Sequence, residues 1–393
     1  MAAITASLFT FVTTEMLPVG LLTPMSSSLH VALGVAGLMV TFYGVSAGIG
    51  VPFIVAWTRH VDRRLLLSAL LAVLALGNLI TAAAPDFAVV MVTRLVMGFA
   101  NGAFWAIGIS MTMRLVPAKH ANRAASIALS GISIATVVGI PLGTFLAGVS
   151  SWRTTFVIWS GLSALVFVAV AITLPSLPSD SAVPVREVLG LPKKNAGLRL
   201  AMVTVVMYVL GHFAAYTFVR PFMEKTSSAS AAFITGLFIV YGIGGAAGNF
   251  LAGYTVNKSL KGSYLAARIG LVLSLLLLLA VGRSHVGAFA TFAVWGVCLG
   301  AANLCQINLV LGTAPEQFEA AMAINTLGYN ASIALGSLLG GVFADATGVE
   351  GAVWVGAVLT GVSVVVTVAT RRSASAAGTG AGADSDQTLA VVG

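Results

Sequence analysis

Charge is what this sequence has least of. Only 8% of its 393 residues are Asp, Glu, Lys or Arg, whereas soluble domains carry about a quarter, and 58% are hydrophobic. With a mean hydropathy of +1.01, the chain has too little polar surface to wrap a water-soluble core, so its solvent is a bilayer. Cysteine is nearly absent too. Cys298 and Cys305 are seven residues apart in one apolar run, about 10 Å along a helix and beyond disulfide reach, so no redox inference follows. Acids are few and scattered. No pair of His and Asp at helical spacing offers an intramembrane catalytic cluster, and no set of like charges offers a channel filter. The net charge of +8 and pI near 9.8 do not mark a nucleic-acid partner, because the basic residues fall in scattered loop groups with no dense patch.

What is abundant is the long apolar run. Segments near 4–24, 35–57, 64–84, 87–113, 124–149, 152–174, 200–222, 231–256, 264–282, 286–311, 319–344 and 350–370 are each long enough to cross a bilayer. The expected fold class is therefore an all-α polytopic membrane protein of twelve spans. The first run has no basic leader and carries Glu15 at its centre, so it reads as a first transmembrane helix rather than a cleaved signal peptide. It starts almost at Met1, which suggests that a short cytoplasmic leader is missing.

Lys and Arg set the orientation. Arg59, Arg63, Arg64, Arg114, Lys119, Arg123, Arg186, Lys193, Lys194, Arg199, Lys258, Lys261, Arg268, Arg371 and Arg372 fall on one side, against Arg153, Arg220, Lys225 and Arg283 on the other. The positive-inside rule then places both termini in the cytoplasm. The Pro- and Ser-rich break at 175–199 reads as a cytoplasmic linker between an N-terminal half (1–174) and a C-terminal half (200–371), and 372–393 as a disordered tail.

The halves repeat. A shift of 198 residues lays Tyr43-Gly44 on Tyr241-Gly242, Gly50 on Gly248, Gly98 on Gly296 and Gly102 on Gly300. A shift of 197 lays Gly139 and Gly143 on Gly336 and Gly340, and also Glu15 and Pro24 on His212 and Pro221. Two pseudo-symmetric six-helix halves follow, with a binding site expected at their interface near the midplane. The first helix of each half thus carries one titratable group at an equivalent depth.

An ionised Glu15 at a span centre costs about 2.5–3.5 kcal/mol on insertion scales, so something must offset or use it. Arg94 is a cation stranded in the fourth span. Glu15 lies about 13 Å below the outer end of its helix and Arg94 about 11 Å below its own, which makes them candidate partners, although Arg94 can also bond backbone carbonyls. His212 is open to two readings as well, a proton-exchanging group or a packed imidazole. Around them, Tyr43, Asn101, Trp105, Asn303, Gln306, Asn325 and Tyr329 can line a cavity for a neutral, ring-bearing solute or hold helices together; Asn303 with Gln306, and Asn325 with Tyr329, share helix faces.

The strings "TTEMLPVGLLTPM", "NGAFWAIGISMTMRLVP" and "GHFAAYTFVRPF" resemble the major facilitator superfamily, drug:proton antiporter type, in the branch of sugar, purine-nucleoside and arabinose-efflux-like permeases. The likeness covers nearly the whole chain. It implies a monomeric, multi-pass transporter of the bacterial cell membrane that exports a small organic solute by alternating access, with protons as the second partner and no cofactor or metal. Drug, antibiotic, sugar and nucleoside-like cargoes all fit it. Uptake symport or uniport stays open, since direction depends on energetics. Arg94 and Gly98 match the family's RxxxG motif, implied in proton coupling. Gly139, Pro141 and Gly143 fit its antiport motif except for the intervening Ile140, and imply a pivot against the partner half near Gly336 and Gly340. "VAWTRHVDRRLLL" matches the family's cytoplasmic motif only in part. Arg63 and Arg64 fall on its basic pair, but Arg59 stands where an Asp belongs and Asp62 where a Gly belongs, so the implied latch is incomplete and a plain topogenic loop explains it equally.

Overall fold

In the computed structural model, residues 1–57, 61–117, 120–177, 185–314 and 317–387 are described. The helices are α1 (Ala2–Ser28), α2 (Leu33–Trp57), α3 (Arg63–Ala83), α4 (Phe87–Arg114), α5 (Ala121–Ile134), α6 (Ile140–Val149), α7 (Trp152–Thr173), α8 (Val185–Lys194), α9 (Ala196–Tyr216), α10 (Val219–Ser227), α11 (Ala231–Val281), α12 (His285–Thr313), α13 (Phe318–Thr347) and α14 (Val349–Gln387). A π-helical segment, Ala135–Gly139, joins α5 to α6 as one span. Eleven helices among the described residues are long and apolar enough to cross a membrane. The 51-residue α11 is twice the length a bilayer needs, and it breaks at Ser259, where φ −163° and ψ 96° are extended. Counting its two arms separately gives the twelve expected spans. The break falls between Lys258 and Lys261, where the charge pattern had put a cytoplasmic turn.

Local chemistry sets six of the helix starts. Asp62, Asp86, Ser151, Asn195, Ser230 and Ser284 each cap the helix that follows with a side-chain oxygen. The linker contains α8, whose Leu191 is buried in the core of the second half. Helix α14 continues through Gln387, past the start of the tail that composition reads as disordered.

The internal repeat is carried by close approaches. A Cβ on Gly98 would strike the carbonyl of Tyr43, and one on Gly296 that of Tyr241; Gly102 faces Ala47 as Gly300 faces Gly245. Gly139 and Gly143 pack against Thr13 and Leu17 of α1, while Gly336 and Gly340 pack against the carbonyls of Leu210 and Ala214 in α9. These last contacts correct the expected pivot. The two glycine pairs do not meet each other across the halves; each brings its helix onto the first helix of its own half. The partner across the seam is α11 instead, where a Cβ on Gly242 would fall 2.7 Å from the Thr136 carbonyl. A GxxxG pattern signals close approach and leaves the approaching helix unnamed.

On the other seam α2 lies along α13. Thr41 Oγ1 donates to the carbonyl of Ala334 at 3.1 Å, Ser337 Oγ to that of Gly37 at 3.0 Å, and Asp345 Oδ1 accepts from the Gly34 amide at 2.8 Å. With the N-terminus in the cytoplasm, all three lie in the outer half of the membrane, so the halves are closed together on that side.

Candidate functional site

The centre of the N-terminal half is built on a defect in α1. Pro18 has no N–H, so the carbonyl four residues before it, that of Thr14, loses its helical donor. Arg94 Nη1 of α4 takes that carbonyl at 2.8 Å, while Asn78 Nδ2 of α3 donates to the Thr14 hydroxyl at 3.2 Å. Arg94 is fully buried, with its guanidinium 5.7 Å from the Tyr43 ring centroid and 5.2 Å from that of Phe156. Its Nε and Nη2 have no hydrogen-bond partner.

Glu15 is the next residue along. It is buried, and its Oε2 accepts from Asn101 Nδ2 at 3.3 Å. Glu15 and Arg94 form no ion pair, although they lie within electrostatic reach of each other. The two lie at similar depth, as expected from their positions in the spans, but the guanidinium bonds the backbone beside the carboxylate rather than the carboxylate itself. Tyr43 Oη and Asn101 Oδ1 are likewise buried without partners. A carboxylate, a cation with two unspent donors and two unspent neutral groups share one buried site.

The equivalent place in the C-terminal half is different. His212 Nδ1 accepts from Trp295 Nε1 at 3.2 Å, so the neutral ring carries its hydrogen on Nε2, 3.3 Å from the Tyr241 hydroxyl. Tyr216 stacks on it at 5.1 Å. The nitrogen that would have to gain a proton is already occupied by a donor, an arrangement that suits the packed imidazole.

Of the other candidates, Asn303 Oδ1 accepts from Tyr208 at 2.9 Å and from Tyr329 at 3.3 Å, and Tyr329 lies within electrostatic reach of Glu15 across the seam. Gln306 and Asn325 are buried, with amide oxygens lacking partners. Each sits about one turn closer to the cytoplasm than the Asn303–Tyr329 bond. Trp105 packs edge-on against Phe104. A groove of about 330 Å³ between α11 and α12 is lined by the apolar Val240, Ile243, Gly244, Ala293, Val294 and Val297.

The cytoplasmic basic loop is a tether inside one half. Asp62 Oδ1 accepts from the Arg64 amide at 2.8 Å, and its other oxygen accepts from the Ser176 hydroxyl, which is the main cause holding the carboxyl below its usual range. Arg64 bonds the carbonyl of Ala171 and the Arg63 amide that of Leu177 at 2.9 Å, tying this loop to the end of α7. Arg59 lies outside the described residues. Arg268, expected in a cytoplasmic loop, is instead fully buried in α11, over the Tyr264 ring at 3.9 Å and bonded to the carbonyl of Ser363 at 3.0 Å.

Two six-helix repeats closed around a buried polar seam define a membrane carrier for a small solute. The chain belongs to the Major Facilitator Superfamily, whose sequence profile matches it twice, over residues 3–219 and 201–390. It is a multi-pass protein of the bacterial cell membrane, and a transporter rather than an enzyme. Over 353 residues it is 30% identical to a "Probable sugar efflux transporter" of Helicobacter pylori strain P12, and 29% identical to one of strain J99, covering 90% of each chain in both cases. Among solved structures it is similar to a bacterial homolog of the human lysosomal transporter Spinster in inward-facing states. The unoccupied form has TM-score 0.75 at 14% identity and the occupied form 0.76 at 13%, each covering 94% of this chain and 96% of the other.

Proposed function

We propose that the chain is a proton-coupled antiporter that exports a small polar organic solute, a sugar or nucleoside-like metabolite, by rocking its halves about the midplane. One observation carries the proton part: among the described residues Glu15 is buried with a single neutral partner, Asn101 at 3.3 Å, and no ion pair. A carboxylate so placed is costly when charged, and protonation or an approaching solute hydroxyl relieves that cost. Arg94 opposes protonation, being a permanent cation of α4 that bonds the Thr14 carbonyl, one residue before Glu15 on α1. Competition between proton and solute for one group is what exchange requires.

The solute class is supported by the neutral amides and hydroxyls of Asn101, Asn303, Gln306, Asn325, Tyr43 and Tyr329, and by the relatives named for sugar efflux. Drug or antibiotic cargo is the second choice, favoured only by the aromatic setting of His212. Because the site is built between two halves of one chain, a monomer suffices. The test is a panel of sugars, nucleosides and drugs added to everted vesicles with a pH-sensitive dye. A sugar or nucleoside that collapses an imposed proton gradient supports the proposal; collapse by drugs alone, or accumulation without proton movement, contradicts it.

A further inference from the structure

Six helices of this protein are capped by their own preceding residue, but α2 cannot be. The residue before it is Ala32, whose carbonyl accepts from the Ala36 amide at 2.9 Å and whose side chain has no oxygen to offer. The cap comes from the other half. Asp345, near the outer end of α13 and 311 residues away, accepts the Gly34 amide at 2.8 Å. Gly34 has to be glycine for this, because its Cβ would strike the Asp345 carboxylate and the Gly341 carbonyl.

A second charged group of the C-terminal half does the same to α1. Pro24 deprives the carbonyl of Gly20 of its helical donor, and Arg220 Nη1 of α10 fills that vacancy while its Nε pairs with Glu224 at 2.8 Å. Both contacts join the halves on the outer side. In both, a charged side chain of one half completes a backbone group that the other half's own sequence leaves unsatisfied.

We propose that Asp345 and Arg220 form the outer gate of the carrier, holding it inward-facing by satisfying α2 and α1 only while the halves touch. Separation of α2 from α13 strips α2 of its cap, and separation of α10 from α1 orphans the Gly20 carbonyl. The outward-open state is therefore penalised by the backbone of the N-terminal half itself. The gate rests on the alternation of the halves that the proposed function assumes, and needs neither proton nor solute.

The experiment is electron–electron distance measurement between spin labels at Ser28 and Thr347, both exposed at the outer ends, with Cys298 and Cys305 replaced by Ala, in nanodiscs without substrate or gradient. Asp345→Ala is expected to raise the outward-open fraction about three- to tenfold, the size of one lost helix cap. Asp345→Asn, which keeps an acceptor but no charge, should fall between. Adding Ala32→Ser to Asp345→Ala supplies a local cap in both states: thermal stability should recover while the outward-open fraction stays raised. An unchanged distance distribution in both Asp345 variants, or a return of the inward-facing population together with stability in the double variant, overturns the gate. Neither result touches proton exchange, which is read separately by the dye assay.

Discussion

Glu15 and His212 occupy the same place in the two halves, 197 residues apart on the first helix of each, yet their surroundings are opposite. The imidazole is closed in on both nitrogens, by Trp295 and Tyr241, and stacked on Tyr216. The carboxylate has one amide partner and neighbours that leave Arg94 Nε, Arg94 Nη2, Asn101 Oδ1 and Tyr43 Oη unspent. Buried polar groups in native proteins are nearly always paired, so these four atoms have hydrogen-bonding capacity still to be met. The repeat keeps the geometry of the position while its chemistry differs, and under the proposed function the N-terminal half is the one that exchanges protons.

The comparison breaks hardest at Arg94. Arg94→Ala removes the cation that lies beside Glu15 among the described residues and leaves the Thr14 carbonyl unsatisfied, an expected loss of about 1.5–3 kcal/mol in stability. With the cation gone the carboxyl keeps its proton to higher pH, so the transport–pH profile in proteoliposomes should move in the alkaline direction. His212→Ala in the same assay should change solute affinity and leave proton flux intact; lost flux would make the two halves chemically alike after all.

A smaller effect is expected at Trp295→Phe, which leaves His212 Nδ1 without a donor. It should cost about 1–3 kcal/mol by thermal unfolding, with coupling retained. Pro18→Ala sharpens the contrast from the other direction. It returns a helical donor to the Thr14 carbonyl and removes an interior helix proline, so the protein should gain up to about 3 kcal/mol. Arg94 then loses exclusive use of its acceptor, and solute-driven proton flux should slow severalfold.

The smallest effect lies at Asp62, in the tether outside the membrane. Its carboxyl is held below the usual range chiefly by Ser176, so its contribution is present at neutral pH and fades as pH falls through that depressed value. Asp62→Asn should cost less than about 1 kcal/mol, visible in thermal unfolding at neutral pH and vanishing in strong acid.

The spans and their break into twelve were legible because hydropathy and Lys/Arg placement are read by the bilayer itself, down to the turn between Lys258 and Lys261. The nearness of Glu15 and Arg94 was legible from depth alone. The Thr14 and Gly20 carbonyls were not, because a backbone acceptor leaves no mark in residue type; the usable signal was the proline four residues on, at Pro18 and Pro24. Arg268 was misplaced because it stands near the cytoplasmic end of an apolar run, where hydropathy does not separate a buried arginine from a loop arginine. The cap from Asp345 was invisible for a further reason. It depends on what Ala32 lacks, and only the assembled seam shows what replaces it.

The most direct test of unequal halves is Glu15→Gln in proteoliposomes, assayed for both solute counterflow and uphill transport driven by a proton gradient. Gln keeps the size and the acceptor oxygen but cannot carry the proton. The expected result is preserved counterflow with uphill transport abolished. Uphill transport at the normal rate in Glu15→Gln would contradict the assignment of proton exchange to the N-terminal half.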